Sequence, residues 1–165
     1  MNIETFDIRD FINGHESSIT DERKVRRKET NEVFTPFEIV ERMCEMIPEE
    51  SWADPSKTFL EPTFGNGNIV CYIIWKRIAA GVPWMAALYT LYGIELMPDN
   101  VVECKDRVVR LLKELDVYGW NEKTIRTILD TNLVCSDFFD WDLENWCPIN
   151  KESDTPTVST SIPLF

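Results

Sequence analysis

The chain has 165 residues, of which 44% are hydrophobic and 12% aromatic, and this composition favours one folded domain over a disordered chain. Its net charge of −12 counts against tight, autonomous DNA binding, which usually needs a cationic surface. No apolar run approaches the ~20 residues that span a bilayer, and the acidic N-terminal stretch is unlike a signal peptide. We therefore expect a cytoplasmic protein without a membrane partner.

The cysteines and the single histidine form no recognisable metal or disulfide pattern. The five cysteines are odd in number and widely spread, and no two form a C-x-x-C pair, which argues against a disulfide framework and a zinc site. Each lies beside apolar residues, so small buried thiols are the favoured interpretation. His15 stands alone in a polar stretch. No histidine-based dyad and no metal site are expected.

The two ends of the chain differ in composition from its centre. Residues 1–20 show neither helical nor strand periodicity, which predicts an irregular or mobile arm. The basic run at 23–28 is typical of a solvated helical turn, with contact to nucleic acid as the alternative. We expect a partly disordered arm over 1–27, a folded domain over 28–148, and a disordered tail rich in Ser, Thr and Pro over 149–165.

The first clear helix signal begins at Thr35. The sequence Thr35-Pro36-Phe37-Glu38 is typical of a capping box, with Thr35 as the N-cap and Pro36 at the first helical position. Apolar residues then recur at helical spacing as far as Pro48, which ends the pattern. The predicted buried face consists of Ile39, Val40, Met43, Met46 and Ile47.

Strand and helix patterns alternate along the rest of the chain, and this alternation predicts an α/β fold with a mainly parallel sheet. The three predicted strands cover residues 57–61, 88–95 and 132–136. The predicted helices cover about 68–80, a short stretch after Pro83, a stretch capped by Asp99, and about 122–130.

Each predicted strand ends at an acidic residue or directly before one: Glu61, Glu95 and Asp137. Because ligands of parallel sheets bind beyond the carboxyl ends of the strands, we expect these residues to share a site. Gly65 and Gly67 allow a tight turn and a close approach of ligand to the following helix N-terminus. The alternatives are an ordinary glycine turn after Glu61 and a solvated acidic loop after Asp137.

The spacing of the acids counts against a dinucleotide, and their charge suits a ligand with a cationic group. A dinucleotide fold places its ribose-binding acid about 20 positions on, whereas Glu95 follows Glu61 by 34. An acid at the first strand end disfavours a pyrophosphate and suits an ammonium or sulfonium group. Glu95 can accept two ribose hydroxyls. Asp137 can accept an adenine amino hydrogen while Phe138 stacks on the base.

Together these motifs resemble those of the adenine-N6 DNA methyltransferases of restriction–modification systems and phages, in the group that places its Thr-Pro motif first. The resemblance extends over about residues 28–146. It implies a partial Rossmann-like methyltransferase fold, with a three-stranded mainly parallel sheet flanked by helices. The matching segments are Phe34-Thr35-Pro36, Phe59-Leu60-Glu61-Pro62, Gly65-Asn66-Gly67-Asn68, Tyr92-Gly93-Ile94-Glu95, Asp99-Asn100 and Asn132 to Phe138.

The resemblance implies that the chain binds S-adenosyl-L-methionine. Its methionine part would be flanked by the Thr-Pro motif, its amino acid end by the first strand end, its ribose by Glu95, and its adenine by the last motif. The implied cofactor-binding residues are Phe34, Thr35, Pro36, Glu61, Pro62, Gly65, Gly67, Glu95, Leu96, Asp137 and Phe138.

One family motif is missing from this sequence. Adenine-N6 methyltransferases hold the target amino group and stack the flipped base with a (D/N/S)-P-P-(Y/F/W) motif. No Pro-Pro dipeptide occurs, and the nearest candidates, at 145–148 and 154–156, lack the second proline and the aromatic residue. No catalytic residue can therefore be assigned, and we expect neither methyl transfer nor DNA binding by this chain alone.

Three predicted strands leave a sheet edge that a second copy of the chain or a partner protein is expected to cover. The alternative function is a non-catalytic protein that sequesters the cofactor or regulates a larger methyltransferase, as an anti-restriction protein does. An enzyme that degrades the cofactor, or a methyltransferase fold kept only for its structure, are further possibilities at this point.

Overall fold

The computed structural model of the protein describes residues 3–16, 25 and 33–149. Its centre is a sheet of three parallel strands in sequence order, in which Leu60 lies opposite Tyr92 and Ile94 opposite Val134. This confirms the predicted α/β class with a parallel sheet flanked by helices. The strands are β1 (Phe59–Glu61), β2 (Leu91–Glu95) and β3 (Leu133–Cys135).

Helices precede and connect the strands. They are α1 (Ile8–Glu16), α2 (Phe37–Glu45), α3 (Glu49–Ala53), α4 (Asn68–Ala79), α5 (Trp84–Tyr89), α6 (Pro98–Glu114) and α7 (Glu122–Asn132). The central helix is α4, which contacts the first three helices as well as α5 and α6, and its Val70 and Ile74 are fully buried. None of the described helices is long and apolar enough to cross a membrane.

The two faces of the sheet are covered differently. Phe59, Leu91 and Leu133 point to the same face and are buried in the core. On the other face Leu60 is 43% exposed. Tyr92, on that same face, packs against Trp146 with ring centroids 4.8 Å apart. Trp146 lies in the turn of a short hairpin formed by β4 (Trp141–Asp142) and β5 (Cys147–Pro148). Among the described residues, this hairpin covers that face of the sheet at Tyr92.

The prediction of an irregular arm over residues 1–20 is wrong for Ile8–Glu16, which form α1. This helix packs on α2 and α4. Ile8, Phe11 and Ile12 of this helix are buried in the common core. A helix of nine residues has little intrinsic stability, so its order depends on this packing, which local periodicity does not reveal. The basic run at 23–28, apart from Val25, and the tail beyond residue 149 lie outside the described residues.

The first predicted helix differs from the structure in its start and in its buried face. Pro36 rather than Thr35 is the N-cap of α2, and no side-chain hydrogen bond caps the helix. The buried residues are Phe37, Val40 and Cys44. Apolar residues at helical spacing lie on two sides of this helix. The side that carries Phe37 is buried, because the Phe37 ring packs against Tyr72 with ring centroids 5.9 Å apart. Of the predicted buried face, Val40 is buried, whereas Ile39, Met43 and Met46 are exposed.

The starts of two further elements differ from the prediction by a few residues. The second strand begins at Leu91 because α5 takes up the residues before it, including the buried Leu88. The helix that Asp99 was expected to cap has Met97 as its N-cap and Pro98 in its first turn, so Asp99 lies inside the helix. The predicted helix at 122–130 is confirmed, with Asn121 capping it through a 2.9 Å hydrogen bond from the Thr124 amide.

Candidate functional site at the strand ends

The sheet register brings the loops after all three strands to one edge. The Phe64 amide donates to the Ile94 carbonyl at 3.2 Å, and the Ser136 amide donates to the Glu95 carbonyl at 3.0 Å. Glu61 lies opposite Gly93, two residues before Glu95. Because side chains alternate along a strand, Glu61 and Glu95 leave the same face of the sheet from neighbouring strands.

Glu95 is buried, with 9% of its surface exposed, and its carboxylate is well supplied with donors. Its Oε2 accepts from the Gly65 amide at 2.9 Å, and its Oε1 accepts from the Met97 amide at 2.9 Å and from Asn100 Nδ2 at 3.4 Å. A carboxylate offers about four acceptor positions, so most of them are already used. Glu95 therefore ties the loop after β1 to the start of α6.

Two glycines of the loop after β1 have a positive φ, +52° at Gly65 and +90° at Gly67. A Cβ on Gly67 would lie 2.5 Å from Cys104 Sγ, and one on Gly65 would lie 3.2 Å from the Phe34 ring. Gly67 is therefore required by the close packing of α6 against the loop. Gly65 is in contact with Phe34, which occupies the side from which a ligand was expected to approach.

A buried polar network behind the loop joins three segments. Asn68 Nδ2 donates to the Thr35 carbonyl at 2.9 Å, while Arg107 Nη1 donates to Asn68 Oδ1 and to the Asn66 carbonyl, both at 2.8 Å. The sequence interpretation assigned no role to Asn68 or Arg107. The sequence feature that could have indicated this network is the position of Arg107 within the apolar stripe of α6, between Cys104 and Leu111.

The Thr-Pro segment closes over the loop and leaves little space. Phe34 is buried, and the cavity bounded by Phe34, Thr35, Thr63 and Gly65 has a volume of about 30 Å³. Such a volume holds about one water molecule, whereas pockets for drug-sized ligands reach roughly 300–1,000 Å³. Asn66 Nδ2 at this cavity is buried without a hydrogen-bond partner among the described residues. A nucleoside can bind here only if Phe34 moves.

Glu61 is half-buried at the end of β1. It accepts hydrogen bonds from the Thr63 amide at 3.3 Å and from its hydroxyl at 3.5 Å, and burial raises the pKa of its carboxyl above the usual 4.5. Burial, together with the charge of Glu61, raises the pKa of the Cys44 thiol to about 12. A partly desolvated carboxylate of this kind attracts a cation strongly. Pro62, which follows it, is also half-buried.

Asp137 and Phe138 lie beyond β3 but make their described side-chain contacts with Phe139. Asp137 Oδ1 accepts from the Phe139 amide at 2.9 Å and begins a 3-10 turn over Phe138–Asp140. The rings of Phe138 and Phe139 meet edge to face at 5.6 Å, and Phe139 is 83% exposed. Leu96 is exposed, and its carbonyl lies 3.6 Å from the Cys135 thiol that donates to it. Phe139 is thus an aromatic candidate that the sequence interpretation missed.

A larger cavity, of about 390 Å³, lies at β1 on the other face of the sheet. It is bounded by residues of β1, by Tyr92 and by the hairpin turn that includes Leu143, Glu144 and Trp146. This cavity is on the sheet face opposite to Glu61 and Glu95, so it is separate from the strand-end site. Within the described part of the chain, no group of three His, Cys, Asp or Glu residues is arranged to hold a metal ion.

No protein-family model, curated protein or solved structure matches this chain. The family resemblance therefore stays a prediction from the motifs.

Proposed function

We propose that this chain is an S-adenosyl-L-methionine-binding, adenine-N6 DNA methyltransferase-like protein with a Rossmann-like sheet. The observation that carries the proposal is the 2.9 Å hydrogen bond from the Gly65 amide to Glu95. It brings the acidic end of β2 directly beside the glycine loop that follows β1. In parallel α/β sheets this position, outside the carboxyl ends of neighbouring strands, is where nucleoside ligands bind.

The chemistry of the residues fits this cofactor. The half-buried carboxylate of Glu61 suits the ammonium of the amino acid end, and the Glu95 carboxylate is an acceptor for the ribose hydroxyls once its bond with the Gly65 amide is given up. Asp137 with Phe138, or with the more exposed Phe139, supplies an acceptor and an aromatic ring for adenine. When bound, the cofactor supplies an electrophilic methyl group.

Binding in this site requires a local opening of the structure. The cavity of about 30 Å³ must grow roughly tenfold to hold a nucleoside, and Phe34 is the side chain in contact with the loop. Binding of the ribose also requires the Gly65 amide to leave Glu95. The proposal therefore includes an induced fit in which the Thr-Pro segment moves from the loop and then flanks the methionine part.

The open edge of β1 supports an assembly. In the described residues β1 pairs only with β2, and Leu60 on its accessible face is exposed beside the cavity of about 390 Å³. Unpaired strand edges are sites of strand addition. We propose that a second copy of this chain or a partner protein covers this edge, and that any methyl transfer to DNA needs this assembly.

A non-catalytic binding protein is the second candidate, one that sequesters the cofactor or regulates a larger methyltransferase. The observation that favours it is the net charge of −12, which opposes an approach to the DNA backbone by this chain alone. A sequestering protein binds the cofactor as the first candidate does, so these two differ in methyl transfer.

Two measurements test the proposal. Isothermal titration should show binding of S-adenosylmethionine and of S-adenosylhomocysteine but not of NAD⁺, because a carboxylate at the first strand end repels a pyrophosphate. Tritium transfer from labelled cofactor to unmethylated DNA, with and without a candidate partner protein, then separates the two candidates. Binding without any transfer supports the non-catalytic protein, and failure of the wild-type chain to bind either adenosyl compound would exclude the methyltransferase-like function and sequestration of the cofactor.

A further inference from the structure

The strongest feature outside the assigned residues is the buried network of Arg107, Asn68 and Thr35, which we call the clasp. Arg107 is 2% exposed, and its Nη1 donates to the Asn66 carbonyl and to Asn68 Oδ1, both at 2.8 Å. Asn68 Nδ2 then donates to the Thr35 carbonyl at 2.9 Å. We infer that Arg107 and Asn68 are positioning residues that hold the Thr-Pro segment in register with the glycine loop.

The position of Arg107 is energetically unusual. It lies in the apolar stripe of α6, where a methionine would fill similar space without desolvating a charge. No ion pair involves Arg107 among the described residues, and its Nε and Nη2 are buried without hydrogen-bond partners there. The described polar contacts of its guanidinium are therefore two oxygens of the glycine loop and the start of α4. Buried charge is offset only where such bonds are made.

The orientation of the Asn68 amide follows from its partners. A guanidinium can only donate, so Asn68 must turn Oδ1 toward Arg107, and its Nδ2 is then directed to the Thr35 carbonyl. One side chain thus accepts from α6 and donates to the Thr-Pro segment. Phe34, adjacent to Thr35, contacts Gly65. The clasp therefore controls where Phe34 sits relative to the loop.

This inference rests on the proposed function for the identity of the ligand, and it adds how the site is controlled. The contact between Arg107 and Asn66 keeps the glycine loop ordered whether or not the Thr-Pro segment is attached. Of the described hydrogen bonds, the one from Asn68 to Thr35 is the bond that joins the Thr-Pro segment to this network and holds it against the loop. Weakening that one bond should loosen one wall of the site without loosening the other.

The substitution Asn68→Asp isolates this bond. The aspartate keeps an acceptor for Arg107 and adds an ion pair, but it places a carboxylate oxygen against the Thr35 carbonyl, where a donor is needed. The matched control is Asn121→Asp, the N-cap of α7, which keeps its acceptor for the Thr124 amide and adds the same charge far along the chain. Arg107→Lys retains a donor at the clasp, whereas Arg107→Met removes it.

Three readouts are compared for these variants: the melting temperature, the affinity for S-adenosylmethionine by titration, and amide hydrogen exchange of the free protein. For Asn68→Asp we expect an unchanged or higher melting temperature and faster exchange of the Ile39 and Val40 amides, which bond to the Pro36 carbonyl, with residues 63–68 still protected. We expect its affinity to rise on the order of tenfold, because the loss of the bond to Thr35 lowers the cost of moving Phe34 away from the loop. Asn121→Asp should match the wild type, and Arg107→Lys should bind more tightly than Arg107→Met.

Two results would overturn the inference. Unchanged exchange of the Ile39 and Val40 amides in Asn68→Asp would mean that the bond to Thr35 does not hold the segment. A uniform rise in exchange with a lower melting temperature would mean that Asn68 serves the fold alone. If the wild-type chain does not bind S-adenosylmethionine, the proposed function fails, while the exchange comparison, which needs no ligand, still decides whether the clasp exists.

Discussion

The Glu95 carboxylate accepts a 2.9 Å hydrogen bond from the Gly65 amide, and this contact joins the end of one strand to the loop that follows its neighbour. It places an acid and a glycine loop together, as a nucleoside site requires. It also shows that the site is closed, because the oxygen proposed to accept from the ribose is bonded to the protein. Cofactor binding is therefore expected to exchange one hydrogen bond of Glu95 for another.

Glu61→Gln should make the protein more stable at neutral pH while weakening its affinity for S-adenosylmethionine. Burial raises the pKa of Glu61 above 4.5, so the folded state favours the protonated form and ionisation costs stability as the pH rises through that pKa. The glutamine retains an acceptor for Thr63 but carries no charge, so its burial has no ionisation cost. The gain in unfolding free energy should be present at pH 7 and shrink toward pH 4.

Denaturant titrations at pH 7 and pH 4 check this, with Glu114→Gln as the control because that side chain is about half exposed, at the end of α6. Glu114→Gln should change neither stability nor affinity by much. Equal stability of Glu61→Gln and wild type at pH 7 would contradict the desolvation of Glu61. Equal affinity would contradict its role toward the ammonium group.

Gly67→Ala should destabilise the protein more than Gly81→Ala. The two glycines have almost the same φ, +90° and +91°, so the strain of a left-handed alanine, roughly 1–2 kcal/mol, is common to both. The Cβ at Gly67 would meet Cys104 Sγ at 2.5 Å, whereas the Cβ at Gly81 meets nothing within 4 Å. Overpacking should add about 1–3 kcal/mol at Gly67 only.

Urea unfolding measures the free energy of unfolding of each variant. The difference between the two values excludes the cost of backbone strain, which both variants share. The variant Gly67→Ala should also bind S-adenosylmethionine more weakly, since α6 must shift away from the loop. Equal free energies of unfolding for both variants would show that the loop and α6 are not in close contact.

Leu60→Pro should weaken self-association without loss of the sheet. The Phe59 amide donates to the Thr90 carbonyl at 2.8 Å, so in a parallel ladder the Leu60 amide is directed to the open edge of β1. Proline removes that donor, and it restricts Phe59 to the extended conformation that Phe59 already has. Light scattering at micromolar concentration should find a dimer for the wild type and a monomer for the variant. A strictly monomeric wild type would contradict covering of the edge by a second copy.

Local patterns predicted much of this fold from the sequence. The strands that end at Glu61 and Glu95, the glycine turn between β1 and α4, and the helix capped by Asn121 all depend on residues close together in the chain. Turn chemistry and hydrophobic period carry that information directly. The α1 helix escaped prediction because its three buried residues gain their stability from α2 and α4, which follow it in the chain.

The interior of the site was harder to predict than its outline. Arg107 and Asn68 are 39 positions apart, so nothing local links them. The closure of Phe34 over Gly65 depends on packing between distant segments, whereas the resemblance implied that both residues contact the cofactor. Asp137 had a plausible role in either a site or a turn, and in the structure its described side-chain bond caps the turn.

The most direct test is calorimetric titration with S-adenosylmethionine of the wild-type chain, Glu95→Ala and the control Glu114→Ala, each shown to be folded by circular dichroism. We expect one cofactor per chain for the wild type and for Glu114→Ala, and a large loss of affinity for Glu95→Ala, whose acceptor for the ribose is gone. An absence of binding by the wild type would contradict the account, and so would unchanged affinity in a folded Glu95→Ala.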